Sequence, residues 1–130
     1  MFQLRHETDY AIQFLSLLAK AKNNLSLNDV ALRTGISFLF LQKIARKLRL
    51  AGLVEAEQGV NGGYVLAVPA KTLNLKKIVL AIEGQCGLVS CCCGDGCKCA
   101  RSEKCQTKKK LTQVSKEIMQ ILEKVKLTDF

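Results

Sequence analysis

Apolar residues recur at intervals of three and four positions in the first part of the chain, which predicts a series of amphipathic helices. The first predicted helix runs from about Thr8 to Ala21, with Thr8 as its N-cap. A short helix capped by Ser26 follows and ends at Gly35, which supplies a left-handed residue. A longer helix begins after Ser37 and continues to about residue 51. One face of this longer helix carries the apolar residues Leu41, Ile44, Ala45 and Leu48.

The pattern then changes to that of a β-hairpin. Leu53–Gln58 and Tyr64–Val68 predict two short strands, and Gly59–Gly63 predicts the loop between them. The helix pair alone fits an ordinary helical hairpin as well as it fits a helix-turn-helix. A glycine-rich hairpin directly after it favours a winged helix-turn-helix, whose second helix enters the major groove of DNA. The predicted fold is therefore mainly α-helical with a small β wing.

Two further helices are expected after the wing. The fourth carries Leu75, Ile78, Val79 and Ile82 and ends at Gly84. The last is long, and its apolar positions alternate three and four residues apart, in the manner of a coiled-coil seam. This stripe consists of Leu111, Val114, Ile118, Ile121 and Val125. It favours a dimer interface, and the alternative is that it is a core face of a single chain. We expect a DNA-binding domain at residues 1–84, a cysteine-rich loop at 85–106 and a dimerisation helix at 107–130.

The distribution of charge supports a polyanionic partner. The 130 residues have a formal net charge of +9, and the segment 37–50 contains four cations and no acid. Double-stranded operator DNA is the expected partner. The candidates for contacts with base edges are Ser37, Gln42 and Lys43, those for phosphates are Arg46, Lys47 and Arg49, and the wing adds Gln58 and Asn61.

Several other classes of protein are not expected. The first 20 residues do not have the pattern of a signal peptide, and no apolar stretch approaches the length of a membrane span, so a cytoplasmic protein without a membrane partner is predicted. The chain has one histidine, no phosphate-binding loop and no recognisable set of nucleophile, base and acid. Neither an enzyme nor a small-molecule substrate is therefore expected.

All seven cysteines lie within the twenty residues 86–105. This segment has too few apolar residues to form a core, so it requires cross-links or a metal. Thiolates are soft ligands that favour iron–sulfur clusters, zinc or copper(I), and the odd number of cysteines argues against a complete disulfide framework. Cys93, Cys99 and Cys105 form an evenly spaced ladder, with five residues in each gap.

Together with the winged helix and the seam helix, this ladder resembles the Rrf family of bacterial winged-helix regulators. The resemblance extends to the opening Thr8–Ala11, the wing sequence Gly59–Tyr64 and the closing Leu127–Asp129. It implies a homodimeric transcription factor, a repressor, that binds an iron–sulfur cluster. It also implies that Cys93, Cys99 and Cys105 are the protein ligands of that cluster.

The fourth ligand is open, because the sequence departs from the family. Lys108 replaces the histidine that the IscR branch has three residues after the last cysteine. The NsrR branch uses an aspartate at the start of the first helix of the other subunit, and Asp9 matches that position. By this resemblance a 4Fe–4S cluster is favoured, with 2Fe–2S as the alternative.

The four remaining thiols keep other chemistry open: Cys86, Cys91, Cys92 and Cys97. They could replace Asp9 as a ligand, bind zinc or copper(I), or form regulatory disulfides. Gln58 stands where the family often has an arginine directed at the minor groove, so the operator can differ. The signal, which could be nitric oxide, oxygen or redox state, or iron supply, does not follow from the sequence.

Overall fold

A computed structural model of the protein describes residues 3–84, 87–88 and 104–130. These residues form five α-helices and one two-stranded antiparallel sheet, which confirms the predicted mainly helical fold with a small wing. The helices are α1 (His6–Lys20), α2 (Leu27–Thr34), α3 (Phe38–Leu50), α4 (Leu75–Glu83) and α5 (Gln106–Lys124), and the strands are β1 (Val54–Glu57) and β2 (Gly63–Leu66). Short 3-10 turns lie at Ala70–Thr72 and Leu127–Asp129. No helix in this described part of the chain is both long and apolar enough to cross a membrane.

One hydrophobic core holds α1 to α4 and the base of the wing together. The predicted apolar face of α3 is confirmed, because its four residues are fully buried. They pack in the same core as Phe14 and Leu15 of α1, Val30 of α2 and Ile78 of α4. Burying a leucine, isoleucine or phenylalanine side chain contributes roughly 1.5–3 kcal/mol. Core packing therefore fixes α3 against the other helices and leaves its opposite face exposed.

Local signals in the sequence set the helix-turn-helix. The Ser26 hydroxyl accepts a hydrogen bond from the Asp29 backbone N–H, and the Asp29 carboxylate accepts one from the backbone N–H of Ser26, which completes a capping box. Gly35 ends α2 with a φ of 73°, a left-handed conformation that glycine adopts without steric cost. The Ser37 hydroxyl caps α3 by accepting from the Phe40 N–H. These predicted boundaries are confirmed.

The predicted cap of the first helix is wrong. α1 begins at His6, two residues earlier than expected, and its N-cap residue Arg5 makes no side-chain capping bond. Thr8 is fully buried inside the first turn, and its hydroxyl donates to the Glu83 carboxylate at 2.7 Å. The threonine therefore has a partner at the end of α4, and it contributes to the tertiary fold instead of to helix initiation.

The wing is shorter than predicted and is fixed to the loop before α2. Its register pairs Val54 with Leu66 and Glu57 with Gly63. Leu25 and Tyr64 exchange two backbone hydrogen bonds, of 3.1 and 2.7 Å. A Cβ atom on Gly63 would lie only 2.6 Å from the backbone carbonyl of Leu25. Glycine is therefore required at position 63 by packing within the protein itself.

The end of the chain returns to the core. Beyond α5, the Leu127 N–H donates to the Leu73 carbonyl, and the Leu75 N–H donates to the Val125 carbonyl, both at 2.9 Å. Leu127 is 2% exposed and belongs to the same hydrophobic core as α1 and α3. This contact fixes the C-terminal end of α5 beside the start of α4. The division at residues 84 and 106 stays a prediction.

Candidate nucleic-acid interface and cysteine loop

The exposed face of α3 is a stripe directly opposite its core face. Leu39, Gln42, Lys43 and Arg46 recur three and four residues apart, and all four side chains are exposed. Ser37 is also exposed at the start of the helix, and Arg49 is exposed near its end. Five of the six predicted contacts on this helix thus face solvent. A polar, basic helix face next to a tight turn has the form of a recognition helix.

Lys47, the sixth predicted contact, lies to one side of this stripe. Its Nζ forms a salt bridge of 2.5 Å with Glu7 of α1 and donates to the Ile82 carbonyl at 3.2 Å. Glu7 also forms a 2.5 Å salt bridge with Lys43, whose side chain is 58% exposed. Hydrogen bonds from the two lysines, the larger effect from Lys43 and the smaller from Lys47, lower the pKa of Glu7 to about 2. One carboxylate of α1 therefore holds two cations of α3.

Glu7 was not among the residues predicted from the sequence. Its two partners lie 36 and 40 residues away along the chain, and no motif or periodicity links the three positions. The only available signal was the absence of acids from segment 37–50, which leaves its cations to find partners elsewhere. The packing of α1 across α3 supplies that acid.

The wing presents amides and an apolar tip. Gln58 and Asn61 are exposed as predicted candidates, and Val60 between them is fully exposed. The Asn24 amide donates to the Glu57 carboxylate at 2.6 Å and to the Asn61 carbonyl at 2.5 Å, which ties the wing tip to the loop before α2. Asn24 is therefore a positioning residue that sequence reasoning missed.

The first turn of α1 contacts both α3 and the last turn of α4. Glu83 of α4 accepts hydrogen bonds from the Arg5 N–H at 3.2 Å and from the Thr8 hydroxyl. Glu7 of the same turn binds Lys43 of α3, and just beyond the turn the Tyr10 ring packs edge-on against Phe40 of α3, with ring centroids 5.6 Å apart. The segment that follows α4 is the one that leads into the cysteine residues. This turn of α1 thus joins the start of that segment to the candidate recognition helix.

The structure describes two of the four predicted cluster ligands. Cys105 is a half-buried cysteine at the N-cap of α5, and its sulfur accepts a hydrogen bond from the Lys108 N–H at 3.4 Å. Asp9 is exposed on the first turn of α1 and accepts from the Gln13 amide at 3.2 Å. Cys93 and Cys99 lie outside the described residues, as do the other four cysteines: Cys86, Cys91, Cys92 and Cys97.

The described residues contain no group of three or more histidine, cysteine, aspartate or glutamate side chains that could hold a metal ion. The properties of Cys105 nevertheless fit a cluster ligand. The residue is partly exposed, and its sulfur accepts a backbone N–H at the start of a helix. Backbone hydrogen bonds to ligand sulfurs are among the features that tune iron–sulfur clusters.

A capped helix-turn-helix with an exposed basic face, followed by a two-stranded wing, defines a winged-helix DNA-binding protein. The Rrf2 family, described as an iron-dependent transcriptional regulator, matches residues 4–130. The chain belongs to this family. It is therefore a transcriptional regulator and not an enzyme, as the sequence predicted.

Individual relatives agree with this assignment. The chain is 32% identical to the HTH-type transcriptional regulator NsrR of Shouchella clausii over 129 aligned residues. The alignment covers 98% of this chain and 87% of that relative. It is similar in structure to T. potens IscR, with a TM-score of 0.73 and 25% identity over 98% of this chain and 85% of the other. It has the fold of CymR, the global cysteine regulator of B. subtilis, with a TM-score of 0.76 and 22% identity over 99% of this chain and 95% of the other.

Proposed function

We propose that this chain is a homodimeric repressor whose affinity for operator DNA depends on an iron–sulfur cluster held by the cysteine loop. The observation that carries the proposal is the position of the first turn of α1. That turn contacts the last turn of α4, where the segment with the cysteines begins, and it contacts α3, whose exposed face suits DNA. A change in the loop therefore has a short route of direct contacts to the recognition helix.

Cys93, Cys99 and Cys105 are the proposed thiolate ligands, with Asp9 of the partner subunit as the fourth. Asp9 suits this role because its carboxylate is exposed, with one amide donor from Gln13. A carboxylate exchanges more readily than a thiolate, which suits a sensor. A bound cluster of the 4Fe–4S type would supply a cross-link of the loop that nitric oxide, oxygen or iron limitation removes. Glu7, Tyr10 and Phe40 would then transmit the resulting displacement of α1 to α3.

The proposed dimer uses the apolar stripe of α5. Leu111, Val114 and Ile118 are only half-buried in a single chain, and Ile121 is 61% exposed. Contact with the same stripe of a second chain would remove this apolar area from water. Two α3 helices could then enter major grooves about 34–36 Å apart on a pseudo-palindromic operator.

Within each half-site, the proposed roles follow the exposed stripe. Ser37, Gln42 and Lys43 lie at the start and middle of α3 and are assigned to base edges, while Arg46 and Arg49 are assigned to phosphates. Lys47 is assigned to a phosphate only if it exchanges its salt bridge with Glu7 for the DNA. Gln58 and Asn61 are assigned to the minor groove.

The test is anaerobic reconstitution followed by operator binding. Protein with iron and sulfide should bind its operator with an affinity 5–150 times different from that of cluster-free protein, which is the usual range of allosteric coupling. Cys93→Ala, Cys99→Ala and Cys105→Ala should lose the cluster absorption, and Cys86→Ala serves as the matched control that keeps it. Equal operator affinity with and without the cluster would refute the sensing role.

A second experiment addresses the fourth ligand. Asp9→Ala is compared with Cys91→Ala, Cys92→Ala and Cys97→Ala under the same reconstitution. We expect Asp9→Ala to retain iron but to lose it faster in oxygen. A normal cluster in Asp9→Ala, together with loss of the cluster in one cysteine variant, would assign the fourth position to that cysteine.

The second candidate is a regulator of the same fold that uses its thiols directly, as a disulfide switch or as a zinc or copper(I) site. Seven cysteines within twenty residues favour it, and so does the structural likeness to a cysteine regulator. Metal analysis of protein purified without oxygen separates the two candidates. Iron and sulfide support the cluster, whereas zinc, copper or thiol-dependent binding without iron supports the alternative.

A further inference from the structure

Leu39 is an exposed apolar residue in the middle of a polar helix face. Its side chain is 76% exposed, although it lies on the helix that carries the candidate DNA contacts. With 3.6 residues per turn, Gln42, Lys43 and Arg46 all lie within about 60° of Leu39 around the axis of α3. The core residues Leu41, Ile44, Ala45 and Leu48 occupy the opposite side. Leu39 therefore faces whatever the basic stripe faces.

Leu39 also lies at the N-terminal end of α3, the end that contacts bases in a helix-turn-helix. It is the second residue of α3, one turn before Lys43, and N-terminal residues of a recognition helix contact base edges in the major groove. A leucine has no hydrogen-bonding group for those edges. The apolar feature of the major groove is the C5-methyl group of thymine, which apolar side chains contact directly.

Resting on the function proposed above, we propose that Leu39 is a specificity-determining residue that selects thymine by contact with its C5-methyl group, once in each half-site. The neighbouring cations favour a polyanion as the partner of this face. In the major groove of DNA, the apolar group that a leucine can contact is the C5-methyl group of thymine. Arg46 would hold the duplex at this face by its phosphates, while Leu39 would add an apolar contact to the base contacts assigned to Gln42 and Lys43.

The test first identifies an operator and then removes single thymine methyl groups from it. Full-length protein, with its cluster reconstituted, first selects an operator from random duplexes. Each thymine of that operator is then replaced by uracil, which removes the methyl group and keeps the base pairing. We expect each half-site to contain one thymine that is sensitive to this change. Replacing one of these two thymines should weaken binding about fourfold, the effect of one buried methyl group, and replacing both should weaken it about fifteenfold. The remaining thymines should be insensitive.

Leu39→Ala shows which side chain reads the methyl group. This variant should bind the thymine operator several times more weakly than the wild type and show no further loss on the uracil operator. Leu50→Ala is the matched control, because Leu50 is 81% exposed, lies on the same side of α3 and is about 16 Å farther along the axis. It should keep the full sensitivity to uracil. Thermal unfolding of both variants should match that of the wild type, because both positions are exposed.

The outcomes separate this inference from the function on which it rests. If no sequence is selected from the random duplexes, the proposed DNA-binding function fails. If an operator is selected but no thymine in it is sensitive to uracil, or Leu39→Ala is as sensitive as the wild type, the role of Leu39 is refuted while the function stands.

Discussion

Helices α3 and α5 are both amphipathic and rich in cations, but in the described part of the chain only the apolar stripe of α3 is fully buried. Leu41, Ile44, Ala45 and Leu48 of α3 are fully buried by α1, α2 and α4. In α5, all of whose residues the structure describes, Ser115 is the one buried residue, and Ile121 is 61% exposed. An amphipathic pattern thus determines which side of a helix is apolar. It does not determine whether the same chain or another chain covers that side.

The polar faces of the two helices also differ. Lys43 and Lys47 of α3 share one carboxylate, Glu7, which α1 places across them. On α5, Glu123 forms a salt bridge of 3.0 Å with Lys76 of α4, and both side chains are at least one third exposed. Such surface pairs contribute little, about 0–1 kcal/mol. Glu7 is only 14% exposed and binds both Lys43 and Lys47, whereas the α5 salt bridge joins two more exposed side chains.

The largest expected effect comes from the buried face of α3. Ile44→Ala should lower the free energy of unfolding by about 2–5 kcal/mol, because it leaves a cavity at a fully buried site. The control, Leu50→Ala in the same helix, should change it by less than about 0.5 kcal/mol. Urea denaturation measures both variants. Equal losses would contradict the described packing of α3.

The exposed stripe of α5 gives the next effect. Ile121→Asn should leave the fold of a single chain intact but weaken the proposed dimer, because each buried amide without a partner costs on the order of 1–3 kcal/mol. The dimer dissociation constant from sedimentation should rise at least tenfold. Gln120→Asn, at the adjacent exposed position, should leave it unchanged. An unchanged constant for Ile121→Asn would place the dimer interface elsewhere.

The smallest effect concerns the polar faces. Glu7→Gln removes the carboxylate beside Lys43 and Lys47, so it should steepen the dependence of operator affinity on salt by about one unit, the contribution of one additional phosphate contact. Glu123→Gln removes the same charge from the salt bridge of α5 and should leave the slope unaltered. Fluorescence anisotropy at several salt concentrations measures both slopes. Identical slopes in the two variants would show that Glu7 does not control the α3 cations.

Much of the fold was predictable because its signals are local. The cap at Ser26, the left-handed Gly35 and the cap at Ser37 act within four residues along the chain, so they are legible in sequence and agree with the structure. The four-residue core stripe of α3 follows from the helical period alone. The family resemblance, carried by short motifs and the cysteine ladder, was confirmed by the comparisons.

The contacts that join these elements were decided only by tertiary structure. Thr8 was predicted to cap α1, but it bonds Glu83, which is 75 residues away. Glu7 meets Lys47 across 40 residues, and Gly63 packs on the backbone of Leu25. Helical periodicity and helix capping depend on residues three or four positions apart, so both can be recognised in the sequence. Which distant carboxylate meets a given hydroxyl or ammonium group depends on how the helices pack, and that requires the whole folded core.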